Sequence, residues 1–312
     1  MKKIVKGDDF LNIGELKQLQ SLPLEIKILK TKQRIKEWYE NYQGDVYVSF
    51  SGGKDSTVLL ELVRQVYNDV VAVYIDTGLE YPEVRNFVKK ISNVKWVKPK
   101  MRFDEVILKY GFPIISKEQS QYIRQYKTAK SEKTKETRIK GNKWGRGKIS
   151  KKWQFLLSED ILISDQCCDK IKKQPVKTFE KEFNLKPFIG NTAEESQKRT
   201  QDYLRFGCNA FDCDRPISRP LGFWTERDIL EYLYINKLPY AECYGDIVYE
   251  NNEYSLSGLD RTGCMFCGFG CHLEKTPNRF QKMKISHPKQ WNYCINILGM
   301  KKPLELIGVK YE

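Results

Sequence analysis

Between residues 46 and 110 the chain alternates short apolar runs with segments of helical periodicity. Residues 46–50 (VYVSF), 70–75 (VVAVYI) and 94–97 (VKWV) are apolar and β-branched, the pattern of strands buried on both faces. Residues 56–67, 82–91 and 103–110 carry apolar side chains at three- and four-residue spacing, as amphipathic helices do. Such alternation predicts an α/β fold, a doubly wound parallel sheet with helices on both faces. Ligands in these sheets bind outside the carboxyl ends of the strands. Ahead of the first strand, Leu24, Ile28, Ile35 and Trp38 share one stripe of an N-terminal packing helix. The pattern breaks at residues 127–152 and resumes near KPFIG (186–190). After Tyr240 the chain reads as irregular and rich in Gly and Cys. These breaks predict a helical arm over 1–43 and an α/β domain over 44–240 with an insertion at 127–152. A Cys-containing subdomain over 241–312 completes the chain.

The turn after the first strand reads SGGKDS (51–56). Amide groups at a helix N-terminus, with Lys54 beside them, form an anion site. Spacing narrows the anion. The mononucleotide loop G-x-x-x-x-G-K-[ST] is absent, because Val48 stands five positions before Gly53 and Asp55 follows the lysine. The dinucleotide fingerprint G-x-G-x-x-G is absent as well.

SGGKDS resembles the pyrophosphate loop of the N-type ATP pyrophosphatases, whose fold is adenine nucleotide alpha hydrolase-like. The text after it resembles the phosphoadenosine phosphosulfate reductase branch. VVAVYIDTGLEYPEV (70–84) is similar to its D-T-G turn, FIGNTAEESQKR (188–199) to its substrate-contacting segment, and RPLGFWTERDILEYLYINKLPY (219–240) to its late strand-turn-helix unit. The resemblance implies nucleotide contacts from Ser49, Ser51, Gly52, Gly53, Lys54, Asp55, Ser56, Asp76, Thr77 and Gly78. It implies substrate contacts from Glu80, Glu194, Ser196 and Arg199. ATP would be carried with Mg²⁺, held by Asp55 or Asp76 as hard oxygen ligands.

The chain has 312 residues, 40% of them apolar, enough for one large domain or a domain with a smaller companion. No run of eighteen apolar residues predicts a membrane span, and the N-terminus lacks the apolar stretch of a secretory signal. A cytoplasmic setting is expected. There nine cysteines favour metal or redox work over disulfides.

The net charge of +14 is uneven. Residues 127–152, from Lys127 to Lys152, hold eleven Lys or Arg against two Glu, which is nine of the fourteen excess charges. With little apolar content and three glycines, the segment reads as mobile until bound. A solvated lysine-rich loop has this composition too. Trp144 among the cations suits stacking on a base and points to nucleic acid as a partner.

Cys167 and Cys168 are adjacent, and Cys264 and Cys267 form C-x-x-C. Thiolates suit iron–sulfur or zinc. Adjacent ligands fit poorly on a single ion, a demand that a cluster of several irons relaxes. The combination resembles the iron–sulfur members of the reductase family, which implies a 4Fe-4S cluster on these four cysteines. Cys271, beside His272, is the first candidate for a sulfur-carrying nucleophile, ahead of Cys208 and Cys213. Cys243 and Cys294 read as inert thiols.

Two enzyme classes remain, with a catalytically silent nucleotide-binding module as a third reading. In one, Lys54 and Asp55 serve adenylation of an acceptor, and sulfur from a cysteine desulfurase or another donor then displaces AMP. The basic segment and cysteines resemble the DNA phosphorothioation component and the tRNA-thiolating enzymes, which implies a nucleic-acid acceptor. In the other, a sulfonucleotide is reduced to sulfite. The reductases attack sulfate with a cysteine in a short E-C-G motif, and no cysteine follows Cys294 here.

Overall fold

The computed structural model describes residues 11–312, so residues 1–10 of the expected helical arm lie outside the described residues. The chain runs α1 (Ile13–Gln20), α2 (Leu24–Asn41), β1 (Val46–Ser49), α3 (Lys54–Val66), β2 (Ala72–Ile75), α4 (Pro82–Lys90), β3 (Val94–Val97) and α5 (Phe103–Tyr110). It continues through β4 (Ile114–Ile115), α6 (Lys117–Thr128), α7 (Glu132–Lys140), β5 (Lys186–Ile189), β6 (Asn209–Ala210) and β7 (Ile217–Ser218). Short strands β8 (Ile247–Glu250), β9 (Glu253–Leu256) and β10 (Gly268–Phe269) follow. Two compact units result. The first holds residues up to Asp76, Tyr81–Val97 and Thr178–Thr262; the second holds Thr77–Glu80, Lys98–Lys177 and Gly263–Glu312.

The first unit is built on a six-stranded sheet in the order β3-β2-β1-β5-β7-β6. β3, β2, β1, β5 and β7 are parallel, and β6 is antiparallel to β7. Strand order reverses direction at β1, and a ligand crevice belongs at such a point. Both faces of β1 are covered. Val46, Val48 and Phe50 join a core with Ile35 and Trp38 of α2, Val58 and Leu62 of α3, and Trp224. Tyr47 faces the other way, with Val73 and Phe179. Burial on both sides explains the continuous apolar runs.

The arm is two helices, and it belongs to this unit rather than standing apart. The apolar stripe of α2 has no other surface to cover. Lys27 of α2 is fully buried, donating to Asp228 Oδ2 at 2.6 Å and to Gln20 O at 2.6 Å. The Trp224 indole donates to Thr31 Oγ1 at 2.9 Å. The expected boundary at 43/44 is therefore absent.

The second unit corrects two further expectations. Residues 127–152 are not an irregular insertion. α7 lies within them, Ile149 is fully buried, and Trp153 just beyond is buried as well. Arg138 holds the segment together, donating to Gln125 Oε1 and Gly147 O, with its guanidinium 4.5 Å from the Tyr122 ring. Nor is 241–312 one irregular subdomain. Residues to Thr262, including the β8–β9 hairpin, fold with the first unit, and the rest forms helices such as Arg279–Ser286 and Lys301–Leu306. Among the described residues no helix is long and apolar enough to cross a membrane.

Lys27→Met strands the Asp228 carboxylate in the core. Breaking a buried pair on one side costs about 3–5 kcal/mol. Urea unfolding should show a loss of that order for Lys27→Met, with partial recovery in Lys27→Met/Asp228→Asn. A single substitution costing less than about 1 kcal/mol would make the pair incidental.

Candidate functional site

β1 ends in the SGGKDS turn, and α3 starts at Lys54. Gly52 has φ +72, a left-handed conformation, and a Cβ there would lie 2.6 Å from Val88 Cγ2 and 2.8 Å from Val84 Cγ1. The turn is thus pressed onto α4. Gly53 is the N-cap of α3 and offers no side chain to the first-turn amides. Ser51 and Ser56 are spent inside the turn: Ser51 N donates to Ser56 Oγ, and Ser56 Oγ donates to Gly53 O. Lys54 is only 3% exposed. Its ammonium is 3.0 Å from Glu226 Oε1, 3.0 Å from Asp260 O and 3.7 Å from Asp55 Oδ2. Burial alone lowers this ammonium, but Asp55 and Glu226 outweigh it, so Lys54 is raised and stays charged. Tyr244 OH accepts from Lys54 N at 3.3 Å and bonds Thr262 Oγ1 at 2.7 Å.

Three guanidinium groups gather nearby. Arg199 is lowered by burial first and then by Arg261 and Arg219, while Asp55 raises it. Arg219 Nη1 is buried with no protein partner. A cavity of about 280 Å³ is lined by Thr192, Glu194, Glu195, Glu226, Asp260 and Arg261.

The cysteines of both expected pairs fall in the second unit. Cys167 and Cys168 have their sulfurs 3.9 Å apart, and Cys267 N donates to Cys264 O at 3.1 Å, closing the C-x-x-C turn. Cys167 is raised by its bond to Cys168, by burial, and by the nearby thiols of Cys267 and Cys264, so the four sulfurs share one neighbourhood. Lys172 lies close to Cys264, and Lys117 and Lys172 lie close to Cys168, so that each ammonium favours the thiolate. Among the described residues no group of three or more His, Cys, Asp or Glu side chains is a ready-made metal site. The donor chemistry still fits a thiolate-held group: four thiols, with two ammonium groups to balance their negative charge.

Residues 45–137 match the model of the phosphoadenosine phosphosulfate reductase domain. Over that stretch, less than a third of its length, the chain is similar to the phosphoadenosine phosphosulfate reductase family. A phosphoadenosine 5'-phosphosulfate reductase of Xanthomonas oryzae pv. oryzae is 24% identical, over 72% of this chain and 76% of that protein. An uncharacterised protein of Methanocaldococcus jannaschii is 24% identical over 94% of this chain, which spans 61% of that protein's length. A crystal structure of phosphoadenylyl-sulfate reductase from Candida auris, a phosphate complex, covers 81% of this chain at 17% identity and a TM-score of 0.41.

The expected residues divide. Ser51, Gly52, Gly53, Lys54, Asp55 and Ser56 form the turn, and Ser49 ends β1 below it. Asp76, at the end of β2, is paired two-pronged with Arg85, at 3.1 and 2.9 Å. Asp55 is the carboxylate at the turn itself. Thr77, Gly78 and Glu80 fall in the second unit, where Thr77 Oγ1 donates to Glu80 Oε1 at 2.6 Å. Glu194 accepts from Glu226 N, and Ser196 caps the helix Gln197–Phe206. Arg199 pairs with Glu195. Cys271 is buried, donates to Gly268 O at 2.9 Å and is pushed up to about 12 by burial, so it stands as a thiol rather than a thiolate. Arg219, Glu226, Tyr244, Asp260, Arg261 and Thr262 were not expected at the site. Arg219 and Glu226 lie in the RPLGFWTERDILEYLYINKLPY stretch (219–240), but nothing in the spacing marks the others.

The two glycines should respond differently. Gly52→Ala forces a methyl into Val84 and Val88 at a left-handed φ, and overpacking of this kind costs about 1–3 kcal/mol. At Gly53 the nearest atoms to a Cβ are hydroxyl oxygens of Ser51 and Tyr244 at 3.2 Å. Thermal unfolding should show Gly52→Ala clearly destabilised and Gly53→Ala close to the parent. Equal effects would mean that α4 does not clamp the turn.

Proposed function

We propose that the chain is an adenylating enzyme of sulfur transfer, with nucleic acid as its acceptor. The observation that carries the nucleotide site is the buried Nη1 of Arg219, unmet by a protein acceptor, close to Arg199, which in turn lies close to Asp55 in the first turn of α3, a helix N-terminus with no side-chain cap. Helix N-termini and unmet guanidinium donors both favour phosphate. In this reading first-turn amides and Lys54 hold the pyrophosphate of ATP. Arg199 and Arg219 meet the remaining oxygens.

The acidic cavity supports ATP over a sulfonucleotide. Glu194, Glu195, Glu226 and Asp260 line it against one arginine, Arg261. Carboxylates suit a triphosphate that arrives with Mg²⁺. They repel an anion that brings no cation. Asp55 is the carboxylate for that ion, since Asp76 is engaged by Arg85.

An acceptor oxygen attacks the α-phosphorus, and pyrophosphate leaves. A hydrosulfide then attacks the activated atom of the acceptor, and AMP departs with the oxygen; with a donor persulfide as nucleophile, the acceptor–S–S–donor disulfide formed is cleaved by a second thiol, which ends as a disulfide with the donor. Lys54 stabilises charge on the leaving pyrophosphate. The sulfur comes from a donor such as a cysteine desulfurase. The first unit's own cysteines do not compete for this role. Cys208 is pushed up to about 11 by burial and Cys243 to about 12, while Cys213 donates to the Ala210 and Arg215 carbonyls.

Cys167, Cys168, Cys264 and Cys267 would hold a 4Fe-4S cluster in the second unit, with zinc the less suitable occupant. When bound, such a cluster supplies electron transfer or a site for sulfur. Lys172 and Lys117 neutralise the thiolates that carry it.

The nucleotide is tested by calorimetry with Mg²⁺. ATP should bind, and Gly53→Val or Lys54→Met should abolish binding while the unfolding transition persists. Tighter binding of adenylyl sulfate, with sulfite formed on adding a reductant, would replace this reading with the reductase. ATP binding without turnover would leave the silent nucleotide-binding module, and failure of both nucleotides to bind would overturn all three readings. The cluster is tested separately. Anaerobic protein should be brown with about four irons per chain, lost in Cys264→Ser and kept in Cys271→Ser. Stoichiometric zinc without iron would make the metal structural.

A further inference from the structure

The strongest feature that this reading leaves unused is a loop in the second unit, GNKWGRG (141–147). It is a built turn. Asn142 Oδ1 accepts from both Trp144 N and Arg146 N at 3.0 Å, and Asn142 N donates to Arg146 O at 2.8 Å. Gly141, Gly145 and Gly147 all have positive φ. A Cβ at Gly141 would lie 2.7 Å from the Gly145 backbone, so only glycine closes the loop.

The base of the loop is fixed. Arg138 Nη1 donates to Gly147 O, and Ile149 N donates to Arg138 O at 2.7 Å. Gln119 of α6 grips the exit, donating to Lys148 O and accepting from Ser150 N. Buried Ile149 anchors the same strand of chain.

On this rigid base stands an exposed aromatic ring. Trp144 is 70% exposed, with Lys143 Nζ 4.2 Å from its ring centroid. Lys143 covers one face, which leaves the other to solvent. Lys143, Arg146 and Lys148 belong to the same loop, and residues 141–148 carry no carboxylate. The segment's two acids, Glu132 and Glu136, are already paired with Lys135 and Lys140 at 2.8 Å. A large apolar ring held in water by a pre-formed turn gains nothing for the fold. It saves the ordering entropy of a partner's contact.

We infer that Trp144 is a stacking platform for an unpaired base of a single-stranded nucleic acid, with Lys143, Arg146 and Lys148 on the flanking phosphates. The chemistry selects single strands. A base face is open to a ring only when it is unstacked, and base–aromatic stacking adds to phosphate contacts there. Duplex phosphates could use the cations but not the ring. The inference rests on the nucleic-acid acceptor proposed above and narrows it to an unpaired region.

Fluorescence anisotropy with the full chain tests this, using labelled oligo(dT) of about twelve nucleotides and a duplex of equal length. Trp144→Ala should weaken oligo(dT) binding about tenfold and change duplex binding little, and Trp144→Phe should retain most of the affinity. Lys143→Ala/Arg146→Ala/Lys148→Ala should flatten the log–log salt dependence by about 0.7 per lost contact on the single strand. The exposed positions should leave the unfolding temperature unchanged. Equal loss on single strand and duplex, or no loss in Trp144→Ala, overturns the inference. So does a parent chain that binds neither. ATP binding measured on the same samples separates that failure from failure of the nucleotide site.

Discussion

The turn after β1 works because backbone meets side chain and backbone on two sides at contact distance. Gly52 lies on Val84 and Val88 of α4. On the β5 side, a Cβ at Gly190 would be 3.0 Å from Asp55 O and 3.1 Å from Ser56 Cα. The start of α3 is therefore held between α4 and the end of β5, the place where strand order reverses. Neither contact admits a larger residue without displacement. Where the first-turn amides of α3 point follows from this clamp, and so does the position of the lysine that opens the helix.

Lys54 then presents a second constraint. A buried ammonium loses hydration worth several kcal/mol, and only close partners offset it. Glu226, Asp55 and the Asp260 carbonyl do so here. Each comes from a different part of the chain, so the lysine ties the start of the helix Glu226–Ile235 and the 259–262 stretch to the turn. Glu226 itself is more exposed than Lys54. Of the lysine's carboxylate partners, Glu226 is the one held least by burial.

Much of this was legible in the sequence. The strands Val94–Val97 and the helix Phe103–Tyr110 fall where periodicity puts them, because each has one unambiguous pattern. SGGKDS marked the turn, since paired glycines before a lysine have few other uses. Three things were hidden. Lys27 and Asp228 lie two hundred and one positions apart, and no local pattern joins them. Residues 127–152 looked unstructured because charge dominates their composition, while a few anchors, Arg138 and Ile149 among them, decide their fold. The domain boundaries failed because they assumed contiguous segments, whereas each unit takes three separate stretches of chain.

That interleaving has a physical consequence. A contiguous domain can unfold without its neighbour, but a unit closed by three stretches passes its connections to the other at every crossing. The last crossing, after Thr262, joins two chemical elements with almost nothing between them. Asp260 and Thr262 contact Lys54 and Tyr244 on one side of it. Cys264 begins the thiol turn on the other, one residue after Gly263. Gly263 is the single residue between the 259–262 stretch of the first unit and the thiol turn of the second. A Cβ at Gly263 would meet nothing within 4 Å, so packing does not fix the residue. Glycine also has the widest backbone freedom of any residue. The chain thus passes from one unit to the other through a residue that neither side-chain packing nor a Cβ restrains.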